Sequence, residues 1–418
     1  MNRNKIVVTG IGAVAPNGNN VIEFWESLKQ GISGISPITY FNTDDHKVKI
    51  AGELKGFSAD QIIDSKELRK LDPFSIYAIV ATNEAMEMSG LNNQNFDYDR
   101  AGVVIGTGVG GIQTLEEQHS TIENRGARRV SPQFVPKMIS NIAGGHLALR
   151  WSLKGPNQTV TSACASATDA IGIAMRLILS GDADIMITGG TEASITPLTI
   201  AGFANMRALS QFNSDPQKAS RPFDNNRDGF VLGEGAGFLI LEREELAIQR
   251  GATILGVFSG YGCSCNAYRV TDSPPDGRGA MQSMHEALLD AGLSSEQVGY
   301  INAHGTSTPS GDEVEVMAID RMFFENERKI NVSSTKSQTG HLLGAAGSVE
   351  AAYSVLSLIN SKLPFNLNLD NEVDSKKINF VKEQPMDIEL NNILSNSFGF
   401  GGTNVSLIFS KFNGNSKE

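Results

Sequence analysis

The chain has 418 residues, 40% of them apolar, and 35 lysines and arginines against 46 acidic residues give a net charge of −11. That balance excludes nucleic acid as the main partner, and the apolar share suits a large packed core. No run approaches the ~18 apolar residues of a membrane span, and three cysteines are too few for a disulfide framework.

In chain order, Met1–Gly10 runs straight into the strand-like Ile6-Val7-Val8, without the apolar core and cleavage site of a secretory signal. With so few cysteines, a reducing cytoplasm is expected. Asp72-Pro73 predicts an N-cap and a proline at the first helical position, opening a helix to about Met88. Val103 to Gly108 reads as a buried strand running into glycines. Gly106–Gly111 superficially resembles a dinucleotide-binding loop, but no suitable acidic partner is evident, and that reading is discarded. Gln158 to Ala163 predicts a strand, and Cys164 then opens a helix to about Leu179 that is apolar on all sides, hence central and buried. Ala183 to Gly190 predicts another buried strand. Cys263 and Cys265 are too close together for a C-x2-C metal pair and read as buried small hydrophobes.

The second part of the chain echoes the first. Tyr300 to Gly305 is again a strand ending in small residues, and Val332-Ser333-Ser334 leads to a helix of small residues from Leu342 to Ala352. The alternation predicts an α/β layered fold built from an internal duplication. The halves are drawn as residues 1–255 and 256–412, with a frayed polar tail over 413–418.

Three stretches carry chemistry: Thr161–Ala167 around Cys164, Asn302–Thr306 around His304, and Gly340–Gly344 around His341. A cysteine at a helix start is placed for a thiolate nucleophile whose free N–H groups receive an oxyanion. The bland alternative is a cysteine that only packs. His304 ends a strand before a Gly-Thr-Ser-Thr turn, where α/β sites collect, and His341 is read at a helix start. His46 and His119 read as surface residues, His146 as a structural histidine, and His285 as one face of an amphipathic helix. Lys336 and Glu350 form a candidate buried ion pair near His341, orienting the imidazole or serving as a structural salt bridge. Ser397–Asn404, with Phe398 and Phe400 among glycines, is either a mobile gate over an apolar pocket or an ordinary hairpin loop. It is no P-loop, for no Lys-Ser/Thr follows.

Taken together these motifs resemble the β-ketoacyl-[acyl-carrier-protein] synthases of the thiolase superfamily, nearest the synthase II group of fatty-acid elongation. The resemblance runs from Val7-Val8-Thr9-Gly10 through Ser220-Arg221-Pro222-Phe223-Asp224, Asp228–Gly235 and Ser333–Ser337 to Asn404. It implies a thiolase-like five-layer α-β-α-β-α sandwich, a homodimer, a Cys-His-His site, and no organic cofactor or metal. It further implies that Cys164 holds the acyl chain as a thioester and that His304 and His341 steady the malonyl enolate. The backbone N–H groups of Cys164 and Phe400 form the oxyanion hole, and Lys336 with Glu350 organises the site. By the same resemblance Phe398 and Phe400 gate the acyl pocket, Val109 lines it, and Lys66, Arg69, Lys70 and Arg207 dock the acidic acyl carrier protein. Arg128-Arg129 is a weaker candidate, and a solvated helix face is the alternative for the whole basic group. Gln338, where many relatives carry methionine, and the stretch Cys263–Asp272 depart from the pattern and bear on the acyl substrate. A specialised polyene or polyketide ketosynthase is one alternative. A non-catalytic chain-length partner would lack Cys164, and a thiolase would carry a second catalytic cysteine after Cys265, where none occurs.

Overall fold

The computed structural model describes residues 5–93 and 96–414. Eleven strands form the central β-structure: β1 (Ile6–Val14), β2 (Ala101–Gly106), β3 (Asn157–Val160), β4 (Ile185–Glu192) and β5 (Gly235–Arg243), then β6 (Gly256–Cys265), β7 (Tyr300–Asn302), β8 (Ile330–Ser333), β9 (Ile378–Phe380), β10 (Asn392–Phe398) and β11 (Thr403–Ser410). Their order is β3-β2-β4-β5-β1-β6-β11-β10-β7-β8-β9. Read outward from the central β1–β6 pair, both halves run first, last, fourth, second, third, with β9 added at one edge. The directions repeat as well. The inner pairs β1–β5, β5–β4, β6–β11 and β11–β10 are antiparallel, whereas β4–β2, β2–β3, β10–β7 and β7–β8 are parallel. The duplication read from the sequence is therefore present strand for strand. Within the strand order the halves pair through Ile6, Val7 and Val8 of β1, opposite Phe258, Val257 and Gly256.

The layers follow from which faces are apolar. β1, β2 and β4 are buried along their whole length, as strands covered on both faces must be. Helices α1 (Pro73–Ser89) and α2 (Ile142–Trp151) cover the outer face of the N-terminal sheet. Helices α3 (Ser166–Leu179) and α6 (Ala346–Asn360) lie between the sheets, and α4 (Arg278–Ala291) and α5 (Pro309–Met322) cover the far side. The result is the five-layer α-β-α-β-α sandwich. Asp72 caps α1 by accepting from Phe74 N–H and also holds Thr114, while Pro73 fills the first helical position.

Several local expectations need correction. β3 ends at Val160, and Cys164 lies in a short 3-10 turn (Ala163–Ala165) ahead of α3 rather than on the helix itself. The cause is Ala163, whose φ of 52° turns the chain sharply. His341 also stands outside a helix: its backbone bridges Val231 and Gly233, five residues ahead of α6. Helix α3 is not apolar all round, because Arg176 is exposed and bonds Asp290. Cys263 and Cys265 are exposed rather than buried. β1 pairs with β6 only over residues 256–258, β11 follows β6 to Cys265, and the two cysteines share one face of the strand. Of the tail, Asn413 and Gly414 are exposed, and residues 415–418 lie outside the described residues.

The central helices approach closely because their contact residues are small. A side chain at Gly347 would collide with Thr168 Oγ1 and come within 2.9 Å of Ser397 Oγ. Gly347→Ala is expected to lower stability by about 1–3 kcal/mol, the usual cost of overpacking, read as a reduced denaturation midpoint with an unchanged slope.

Candidate active site

The site is built where the N-terminal turns of the two central helices meet. In the first half, Ser166 Oγ accepts from Ser162 N–H (2.9 Å) and donates to Ala163 O (2.6 Å), locking the turn that presents Cys164. Cys164 Sγ accepts hydrogen bonds from its own N–H and from Phe400 N–H. Both amides therefore point at the sulfur, where an oxyanion on a bound thioester would form. Phe400 is held by a loop with φ of 84° and 85° at Gly401 and Gly402, values that favour glycine. That loop is tied down by Gly399 N–H to Thr403 O, Gly401 N–H to Val270 O, and Asn266 N–H to Gly402 O (2.7, 2.7 and 2.8 Å).

The C-terminal half contributes the imidazoles. The rings of His304 and His341 are 5.4 Å apart and nearly perpendicular, with Phe230 5.4 Å from His341 and Phe398 5.6 Å from His304. Both line the cavity of about 670 Å³ that also reaches Cys164, Val109, Phe398 and Phe400. Nδ1 of His304 and both ring nitrogens of His341 have no partner among the described residues, so they are available to a ligand. Burial holds both imidazoles well below their ordinary pKa, and the Lys336 charge adds to the effect. Each is a neutral ring, able to donate one N–H and accept at the other nitrogen. Lys336 Nζ is bonded to Glu350 Oε1, both side chains buried. Burial pushes the Glu350 carboxyl up, and the ammonium opposes this.

The thiol differs from the expected thiolate. Burial pushes Cys164 up to about 11, with Lys336 and the two amides only partly offsetting it. The surroundings of the sulfur thus favour the thiol over the thiolate.

Sequence reasoning missed the acids that brace His304. Glu315 Oε1 and Oε2 accept from His304 N–H (2.8 Å) and Gly305 N–H (2.7 Å), and Asp312 accepts from Ser307 N–H (3.2 Å) and Phe223 N–H (2.8 Å). Both sit one turn apart on α5, and both are buried. The available signal was a pair of acids at i, i+3 spacing on the helix that follows the histidine turn. The remaining candidates lie elsewhere. Lys66, Arg69 and Lys70 are exposed on and just after the short helix Ser65–Leu68, Arg128 and Arg129 are exposed, and Arg207 is exposed at the cavity wall. Gln338 is buried, donating to Leu28 O and Phe365 O, away from the cavity lining.

The β-ketoacyl synthase N-terminal domain matches residues 3–247 and the β-ketoacyl synthase C-terminal domain residues 255–370. The chain is 46% identical to 3-oxoacyl-[acyl-carrier-protein] synthase 2 of Synechocystis sp. over 99% of both chains. It is also 46% identical to the protein of the same name from Vibrio cholerae over 98% of this chain and all of that one. Among solved structures, a β-ketoacyl synthase from Burkholderia phymatum superimposes with a TM-score of 0.91 at 32% identity, over 98% of this chain and all of that one. A type II polyketide ketosynthase, solved in complex with its acyl-carrier protein and bound to a hexaketide, gives 0.90 at 30% identity and the same coverage.

The raised thiol makes a direct prediction. Alkylation of Cys164 by iodoacetamide, followed by mass spectrometry across pH, is expected to keep accelerating well past the ~8.5 of an ordinary thiol, towards about 11. A rate that levels off near neutrality would contradict the site's electrostatics.

Proposed function

We infer that this chain, which belongs to the β-ketoacyl synthase family, condenses an acyl thioester with malonyl-[acyl-carrier protein] during fatty-acid chain elongation. One observation carries the reading: a thiol under two converging amides faces two neutral imidazoles across a single cavity.

The chemistry proceeds in two halves on one sulfur. Cys164 Sγ attacks the acyl thioester of the carrier; the bond to the carrier's sulfur breaks, and the Sγ proton leaves with the released thiol. Malonyl thioester then binds, its C–CO2 bond breaks, and the electron pair moves into an enolate whose oxygen accepts from His304 and His341. Neutral N–H donors stabilise charge where it develops, and loss of CO2 supplies a carbanion without a strong base. The carbanion attacks the acyl carbon on Cys164. The tetrahedral oxyanion is received by the N–H groups of Cys164 and Phe400, and its collapse breaks the C–Sγ bond, releasing the 3-oxoacyl product and a thiolate that takes up one proton from solvent. Every atom is accounted for without an organic cofactor or metal. Burial, with the charge of Lys336 paired to Glu350 adding to it, keeps the imidazoles neutral, and Val109, Phe398 and Phe400 bound the space for the acyl chain.

The partner in this reading is an acidic acyl carrier protein, docked on Lys66, Arg69 and Lys70 with Arg207 near the cavity. The polyketide relative solved with its carrier protein supports such a partnership. The working unit is proposed to be a cytoplasmic homodimer. Within each chain, residues 1–255 would bring the nucleophile and 256–412 both histidines.

Cys164→Ala is expected to abolish condensation while leaving the fold intact; full activity with a long-chain acyl carrier would refute the nucleophile. Cys164→Gln, a partial mimic of an acylated side chain, should retain malonyl decarboxylation, and His304→Ala in that background should lower it by about 10²–10³-fold, as for loss of an oxyanion donor. Mass spectrometry of the acyl group trapped on wild-type Cys164 from a panel of carriers would separate fatty-acid from specialised substrates. For docking, charge reversal at Lys66, Arg69 and Lys70 together should weaken carrier binding by about tenfold or more at low salt, and less at high salt. Unchanged affinity by calorimetry would return these residues to an ordinary solvated face.

A further inference from the structure

β4 and β10 have the same place in the two halves, and their final residues differ in kind. β10 ends at Phe398, and the loop beyond it brings Phe400 N–H onto Cys164 Sγ. β4 ends at Glu192, whose side chain is fully buried and makes no ion pair among the described residues. Its carboxylate reaches the turn of the other half that corresponds to Cys164. There Leu343 has the same unusual backbone as Ala163, with φ of 46° against 52°, and Gly344 follows it as Cys164 follows Ala163.

Five donors converge on this one carboxylate. Oε2 accepts from Gly108 N–H (2.6 Å) and Gly344 N–H (3.1 Å). Oε1 accepts from Ser194 Oγ (2.9 Å), Val109 N–H (3.3 Å) and Thr107 Oγ1 (3.4 Å). Thr107 Oγ1 in turn accepts from Gly110 N–H (3.2 Å). The whole turn from Thr107 to Gly110 therefore hangs on Glu192. Gly108 and Val109 line the cavity that holds Cys164, and the Val109 side chain is 43% exposed.

We infer that Glu192 is a positioning residue for acyl-chain selectivity, occupying the vacant amide of the second turn and holding the Gly108–Val109 wall of the cavity in place. The inference rests on the proposed condensing function and deepens it. Only a carboxylate meets the geometry, because both oxygens accept. A glutamine offers one oxygen and turns an NH2 group towards donors, leaving buried N–H groups without partners. The wall is then free to retreat from the cavity. Gly344 is pressed from the other side: a Cβ there would collide with Gly108 N and lie 2.6 Å from Glu192 Oε2.

The test compares kcat/KM for long-chain and short-chain acyl carriers in the full-length protein. Glu192→Gln is expected to raise the long-to-short ratio by about tenfold, within the range that one or two methylenes command in an apolar pocket. Gly344→Ala, which displaces the same amide, should shift the ratio too, and the double variant should fall short of the product of the two. If Glu192→Gln does not fold by circular dichroism, Thr107→Val tests the same wall by deleting the hydroxyl between Gly110 N–H and the carboxylate. A folded variant with the wild-type ratio, or strictly multiplicative effects of the two changes, overturns the role of Glu192. A wild-type chain that condenses no acyl carrier at all overturns the proposed function instead.

Discussion

The close approach of the two central helices is the constraint on which the rest of the structure depends. Helices α3 and α6 are packed between two sheets, and their first turns meet at the contact between the halves. Side chains at Gly344 and Gly347 would collide with their neighbours, and both turns take a left-handed residue, Ala163 in one and Leu343 in the other, to enter their helices. Such a conformation is costly for residues with a side chain and persists only where the surroundings over-determine it. Here they do: Ser166 bonds both sides of the first turn, and Ser348 donates to Ala345 O in the second. The strained turn projects one side chain towards the cavity, and on the reactive side that side chain is a thiol.

The electrostatics of the site follow from the burial of its titrating groups. Taken from water, a thiol, an imidazole and a carboxyl all move towards their neutral forms. Behind the histidines Lys336 lies buried against Glu350, and its charge adds to the effect of burial in depressing both imidazoles. A cavity so arranged turns imidazole nitrogens without partners among the described residues towards a ligand. It favours a reaction in which negative charge appears on oxygen and disappears again, over one that needs a permanent base. The raised thiol fits the same pattern, since a resting thiolate between neutral rings would compete for the donors that the proposed enolate would need.

Much of this was legible in the sequence because it is written in residue size and period. Alternating strands and small-residue helices announced the layers, and the repeat of strand, small turn and helix announced the duplication that brings Cys164, His304 and His341 together. What could not be read was the detail at the turns. A left-handed Ala163 has no signature, so Cys164 was placed on the helix and not before it. The thiolate expectation weighed the helix terminus and omitted burial, which is a tertiary property. Cys263 and Cys265 look like core residues by type, yet they stand on an exposed face at the end of β6, and which face is covered is a tertiary property that no local pattern reports. Glu315 and Asp312 were overlooked because buried carboxylates serving backbone N–H groups look, in sequence, like the polar face of a helix.

Duplication supplies two equivalent turns, yet the packing admits one nucleophile. At the second turn the Gly108 amide and the Glu192 carboxylate stand where a side chain on residue 344 would go. At the first turn the loop after β10 is held back far enough to leave room for Sγ beneath the Phe400 amide. The residues three positions ahead diverge in the same sense, with exposed Thr161 before Cys164 and buried His341 before Gly344. Each half has thus kept what the other gave up: one the sulfur, the other the imidazoles. A reaction that needs a covalent carrier and a separate place for enolate chemistry gains from that division, because one cavity between the halves can hold both substrates in turn. The asymmetry is enforced by sterics at Gly344, so a second thiol could not be introduced there without first moving the Gly108–Val109 wall of the cavity.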